Sequence, residues 1–294
     1  LHDALPISTH LDEMSARTLS GMKFQQLVGS FGKQLFGSAT FEGERVLAQD
    51  DLFRLCYLPP LEPAHESGAA LFHVGGFLPF GDRIFRFLPG ANLFQPFLER
   101  GIPVYLMELR GDATELANLG DCSFDRFIDT VDELTGVAFE HHGRRQMLLE
   151  GYCGLAMPGL SFVAAHPRRA RERFRVAFTM VAPVDGRECA LLLEPVEALP
   201  QGLMAAGYMM SELTGGVVSG ASLRAGIDLP LGTLFHKTPL GLFAAGWNSM
   251  RYHRVERLEQ LDFDQRRELA GAYWISPENC DRFPIAVDMA RFSG

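Results

Sequence analysis

Residues 147–159 read MLLEGYCGLAMPG: an apolar strand, then Gly151-Tyr152-Cys153-Gly154, then a run compatible with a helix. Strand, tight turn and helix in that order lift one side chain clear of a sheet. The glycines flanking the turn suit a backbone so sharply bent that side chains would collide. A cysteine at the N-terminus of the following helix meets free N–H groups and the positive end of the helix dipole. Both favour a thiolate and a developing oxyanion. Cys153 is therefore the candidate nucleophile, and the backbone N–H of Gly154 a candidate oxyanion donor.

Working outward, the same alternation recurs. Apolar strands are expected at 52–58, 69–78, 103–109, 146–151 and 174–182. Helices are expected at 91–100, 123–139 (with Phe124, Phe127, Ile128, Val131 and Leu134 on one face) and 155–165. Continuously apolar strands alternating with helices predict an α/β fold with a mostly parallel sheet covered on both faces. The strand at 69–78 runs into Gly75-Gly76, which offers a second oxyanion donor from the loop Val74–Phe77, or a plain tight turn. Residues 9–45 carry helical spacing (Leu19, Met22, Phe24, Leu27, Phe31, Leu35) and read as a lead-in helix. After Asp185 the texture turns rich in Gly, Pro and Met, with a charged surface helix over 251–270. The expected organisation is a partial core over 46–185 and an inserted cap over 186–294, with the C-terminal part of the sheet missing from this chain. The first eight residues, LHDALPIS, read as the in-frame translation of a sequencing-adapter oligonucleotide and are set aside.

Composition narrows the function. With 294 residues the chain can hold one large domain with a cap. A net charge of −9 argues against a nucleic-acid surface. No apolar run reaches the ~18 residues of a membrane span. The five cysteines are scattered without a CxxC, which fits a reducing cytoplasm rather than a disulfide framework or a cysteine zinc site. His141-His142 lacks carboxylates at ligand spacing, so no metal is expected, and HVGGF has neither GK[ST] nor GxGxxG. No cofactor is implied.

The stretch from Pro59 to Asp112, containing AALFHVGGFLPF and ERGIPVYLMELRGD, resembles the N-terminal half of polyhydroxyalkanoate synthase catalytic domains. LLEGYCGLAMPGLSFVAAHP resembles that family's cysteine-containing lipase box, a form of the α/β-hydrolase nucleophile elbow. FRVAFTMVAPVDG resembles the strand that follows. The chain departs from the family at Leu155, where the box has glycine. The resemblance implies an acyltransferase in which Cys153 takes an acyl group from a (R)-3-hydroxyacyl-CoA and passes it to a growing polyester. It also implies a place in the cytoplasm or at a polyester granule surface, and it is compatible with a homodimer. Two alternatives stand beside it: an esterase, thioesterase or depolymerase on the same fold, and a non-catalytic synthase-like protein.

A nucleophilic cysteine needs a base and an orienting carboxylate, which in this fold follow it along the chain as acid, then histidine. His166, His236 and His253 come after Cys153, and Asp185 and Asp228 are the acid candidates. The family places both partners after later strands, so they are expected beyond Gly294 and the chain as given is expected to be inactive. His73 reads as a satisfied strand histidine. The basic run Arg168, Arg169, Arg171, Arg173, Arg175 reads as a solvated helix face, with an acyl-CoA phosphate site as the alternative.

Overall fold

The structure is a computed structural model. It describes residues 24, 26–32, 34–35, 41–62, 68–75, 83–86, 92–110, 120, 122–152, 156–180, 182, 209, 213, 216–218, 251–252, 254–274 and 285–286.

Six strands form one sheet: β1 (Arg45–Gln49), β2 (Phe53–Leu58), β3 (Leu71–Val74), β4 (Val104–Leu109), β5 (Met147–Tyr152) and β6 (Phe174–Met180). In space they run β1-β2-β4-β3-β5-β6. β3 pairs parallel with β4 and β5, and β5 parallel with β6. The fold is α/β, with the mostly parallel sheet that the alternation of apolar strands and helices predicts. One edge differs from the expectation: β1 and β2 form a hairpin, and β2 joins β4 antiparallel. β1 was hidden in the sequence because RVLAQ is a largely exposed edge with no apolar alternation. Its pairing comes from a turn instead. Asp50 Oδ1 accepts the N–H groups of Leu52 and Phe53 at 2.7 and 2.6 Å, which folds β1 back onto β2.

Helices cover both faces. On one side lie α1 (Arg83–Arg86) and α2 (Gln95–Glu99). Phe85, Phe94 and Leu98 there pack on Leu58, Leu71, Val104 and Leu106. On the other side lie α3 (Phe124–His141), α4 (Ala156–Ala165) and α5 (Pro167–Arg173). Phe127, Val131, Leu134 and Ala138 of α3 recur at helical spacing and meet Phe53, Phe72, Tyr105 and Met107. Ser123 starts α3 by accepting the N–H of Arg126 on its side-chain oxygen at 3.1 Å. α5 docks on α3 through Asp132, which pairs with Arg169 and, at 2.8 Å, with Arg173.

A separate apolar cluster joins the two ends of the chain. The π-helical turn Val28–Gly32 packs against α6 (Phe263–Trp274), with Leu27, Val28, Tyr252, Leu269 and Tyr273 buried. The charged stretch 251–270 is therefore not one surface helix. It restarts at Asp262, whose carboxylate accepts the Gln265 N–H at 2.8 Å while Gln265 Oε1 accepts the Asp262 N–H at 3.0 Å. The two-residue strands β7 (Val217–Val218) and β8 (Ile285–Ala286) pair antiparallel, a link that no apolar alternation announced. No helix of the described residues is long and apolar enough to cross a membrane.

Removing the α3 cap should be felt globally. Ser123→Ala is expected to lower stability by about 1 kcal/mol, read as a lower urea midpoint at unchanged slope.

Candidate active site

Side chains alternate along β5. Met147, Leu149 and Gly151 face the α3/α4 side, while Leu148, Glu150 and Tyr152 face α1 and α2. α4 begins at Ala156, four residues after β5 ends at Tyr152. The elbow residues Cys153, Gly154 and Leu155 lie outside the described residues, but both flanks are firm. A Cβ built on Gly151 would stand 2.6 Å from Ala156 Cα and 3.0 Å from Ala156 Cβ. The strand and the helix thus touch backbone to backbone, and only glycine fits at 151. This approach also explains which small residue the turn needs. It falls at Ala156. Gly159 lies one turn along α4, where an added Cβ would only touch Val74, at 3.6 Å.

The first oxyanion loop is held at its start. Gly75 extends β3, and its N–H donates to the Met107 carbonyl at 3.2 Å. That N–H is engaged in the sheet; Gly76, the other donor expected from this loop, lies outside the described residues. His166 does not stand at the elbow either. It caps the N-terminus of α5, with its N–H on the Phe162 carbonyl at 2.8 Å. The ten residues of α4 separate it from the turn, a rise of about 15 Å. His236, His253, Asp185 and Asp228 lie outside the described residues. Two arginines of the basic run, Arg169 and Arg173, pair with Asp132 where α5 meets α3. His141 and His142 are used structurally: His141 Nδ1 shares a hydrogen bond with the Tyr105 hydroxyl at 2.8 Å, and His142 Nε2 donates to the Gly68 carbonyl at 3.3 Å. Among the described residues no group of three or more His, Cys, Asp or Glu is placed to hold a metal.

The α1/α2 face carries a buried polar layer that sequence reading missed. Glu108 of β4 pairs with Arg54 of β2, its cross-strand neighbour, and Arg86 of α1 lies 4.0 Å from its second oxygen. Arg86 also binds both oxygens of Glu44 at 2.7 and 2.6 Å. Burial alone would lower the Arg86 pKa, but the Glu108 and Glu44 carboxylates outweigh it and raise it. Cys56 points at Glu108 Oε1, 3.3 Å away. Burial first, then the Glu108 charge, push its thiol far above the ordinary range. Beside them His73 of β3 faces Glu150 of β5 in direct register, with Nδ1 hydrogen-bonded to Oε2. His73 is 0% and Glu150 1% exposed. A signal did exist: each of the apolar runs VYLMEL and MLLEGY holds one glutamate where a buried strand should have none.

No family model matches the chain, and no curated protein matches it. Among solved structures, a thermostable carboxyl esterase from Bacillus coagulans aligns at 13% identity and a TM-score of 0.43, over 85% of this chain and 71% of that one. A group of epoxide hydrolases from hot-environment metagenomes aligns at 14% identity and 0.36, over 86% and 70%. A thioesterase domain from the curacin biosynthetic pathway aligns at 18% identity and 0.29, over 43% and 40%. Likenesses this weak say nothing of what this chain binds or turns over.

Two outcomes test the site's frame. Gly151→Ala should cost about 2–3 kcal/mol, because the added methyl meets backbone rather than a movable side chain; urea denaturation measures it. Iodoacetamide at pH 8 should leave Cys56 and Cys122, both buried, unlabelled in the native protein and label them only after denaturation. Peptide mass mapping reads the difference.

Proposed function

We propose that the protein is an acyl-transfer enzyme of α/β-hydrolase architecture, in which the Cys153 thiolate takes an acyl group from an ester or thioester and yields it to water. The observation that carries this reading is the contact of Gly151 with Ala156, where strand and helix meet too closely for any side chain. A turn of that kind presents its central residue outward at a helix N-terminus, and here that residue is cysteine.

The steps follow from the residue types. The thiolate attacks the carbonyl carbon, and the carbonyl electrons move to oxygen. The Gly154 N–H and the Gly76 N–H would hold that oxyanion. The carbonyl re-forms, and the alcohol or thiol leaves with a proton from a histidine base, so that Cys153 carries the acyl group as a thioester. Water, deprotonated by the same base, attacks the thioester, and the acid departs while the proton returns to sulfur. His236 and His253 remain candidates for the base, with Asp185 and Asp228 for the orienting acid.

The nucleophile's identity favours a second reading. A thioester stays more activated than the ester a serine would form, so a hydroxyl can accept the acyl group in place of water. That supports the resemblance to polyhydroxyalkanoate synthases, with a (R)-3-hydroxyacyl-CoA as donor, a growing polyester as acceptor, and the cytoplasm or a granule surface as the setting.

Incubation with 3-hydroxybutyryl-CoA or p-nitrophenyl butyrate, followed by intact mass spectrometry, tests the common step. One added acyl group on Cys153 is expected, with Cys153→Ser slowing its formation at least about 100-fold. Equal acylation of the variant would defeat the proposal. Free acid among the products marks the hydrolase, and covalent oligomer marks the polymerase.

A further inference from the structure

We propose that His73 and Glu150 are positioning residues: through Phe85 they fix α1, where the stretch after Gly75 ends, against the strand that bears the elbow. The proposal rests on the acyl-transfer reading above for its catalytic consequence, and on geometry for the anchoring itself.

The pair joins adjacent parallel strands at matched positions, on the face beneath α1 and α2. The carboxylate holds the imidazole through Nδ1. Two phenyl rings then stand edge-on to that imidazole: Phe85 at 5.0 Å and 70°, and Phe94 at 5.1 Å and 79°. Phe85 in turn meets Tyr152 at 4.9 Å and 73°. Glu150, His73, Phe85 and Tyr152 therefore make a closed circuit that leaves β5 and returns to it two residues on. β3 ends next to Gly75, whose N–H is fixed on Met107. The chain comes back at α1, where Phe85 sits on His73 and Arg86 is clamped by Glu44. The Gly75 end of the intervening stretch is thus held by β4, and its α1 end is referred through Phe85 to the strand that precedes Cys153.

Stability alone gives little reason for this pair. The backbone ladder already holds β3 to β5, and a buried ionisable pair costs desolvation that an apolar pair of similar volume avoids. What the polar pair adds is direction. Aliphatic side chains would fill the space without fixing a ring plane, whereas a carboxylate-bound imidazole has one orientation, and aromatic edges pack to it with defined geometry. Because both side chains are sealed beneath Phe85 and Phe94, they act through these neighbours and not on substrate.

Replacing one partner alone would leave a buried group unpaired and could unfold the protein, so the test uses His73→Leu/Glu150→Leu, which keeps the layer filled. Hydrogen–deuterium exchange should show amides between Gly75 and Arg83 exchanging at least about tenfold faster than in the wild type, while β3, β4 and β5 stay within about threefold. Unchanged exchange in that stretch would overturn the proposal. So would acceleration spread evenly along β3 and β5, the mark of a merely structural pair. In the acylation assay kcat should fall about 100-fold with KM within about threefold, since a displaced oxyanion donor acts in the transition state. Iodoacetamide alkylation of Cys153, a displacement that forms no oxyanion, should keep its wild-type rate. A wild-type kcat in the folded variant, or alkylation falling in step with kcat, would also overturn it. If Cys153→Ser is acylated as fast as the wild type, the acyl-transfer reading falls, while the exchange result still decides the anchoring.

Discussion

The contact between Gly151 and Ala156 is the constraint on which the candidate site depends. A strand that turns straight into a helix must bring two backbones within van der Waals range, and a Cβ at 151 would intrude to 2.6 Å of Ala156 Cα. With hydrogen at that position, α4 can start immediately and lie along β5 and β3. Its N-terminus then points to the end of the sheet where β3, β4 and β5 all finish. The chemistry of a thiol there follows from the backbone: free N–H groups and a helix dipole are present before any side chain contributes. In the proposed reaction a cysteine nucleophile would make the acyl-enzyme a thioester, which links the hydrolytic and the polymerising readings through one intermediate.

The two faces of the sheet do different work. The α3 face is mainly apolar, from Phe53 to Phe174, and holds the fold by burial. The α1/α2 face mixes apolar residues with carboxylates at Glu108 and Glu150, both near the strand ends that carry the loops. Each carboxylate is met by a basic partner from another element: Arg54 and Arg86 for Glu108, His73 for Glu150. Such pairs contribute little net stability, because their attraction is offset by desolvation. Their directional bonds instead specify how the short helices α1 and α2 sit over the sheet. Four- and five-residue helices have too little surface to fix their own place.

Local pattern carried much of the architecture. The central strands were readable because a buried parallel strand must be apolar on both faces, and α3 because its apolar residues recur on one side of a helix. The strand and helix that flank residues 153–155 were readable too, and Gly151 stands where they come closest. The β1–β2 hairpin was not, since its edge strand is short and largely exposed and its turn is made by one aspartate side chain. The cluster of residues 24–35 with 251–273 was equally hidden: nothing in a window of sequence reports that Gly32 will lie against Tyr273.

What the sequence by itself determined is the set of short-range facts: strand and helix periods, a glycine where a turn is tight, and a cysteine at that turn. These depend on neighbours within a few residues, so the order of amino acids states them directly. Only the tertiary structure decided which polar groups meet. His73 and Glu150 are 77 positions apart and Arg54 and Glu108 54, and each pair forms because strand order and register bring the two side chains to one level. The same register engages the Gly75 N–H with the Met107 carbonyl. A hydrogen bond is a short-range, directional interaction, and its partners are chosen by whatever the fold brings within about 3 Å.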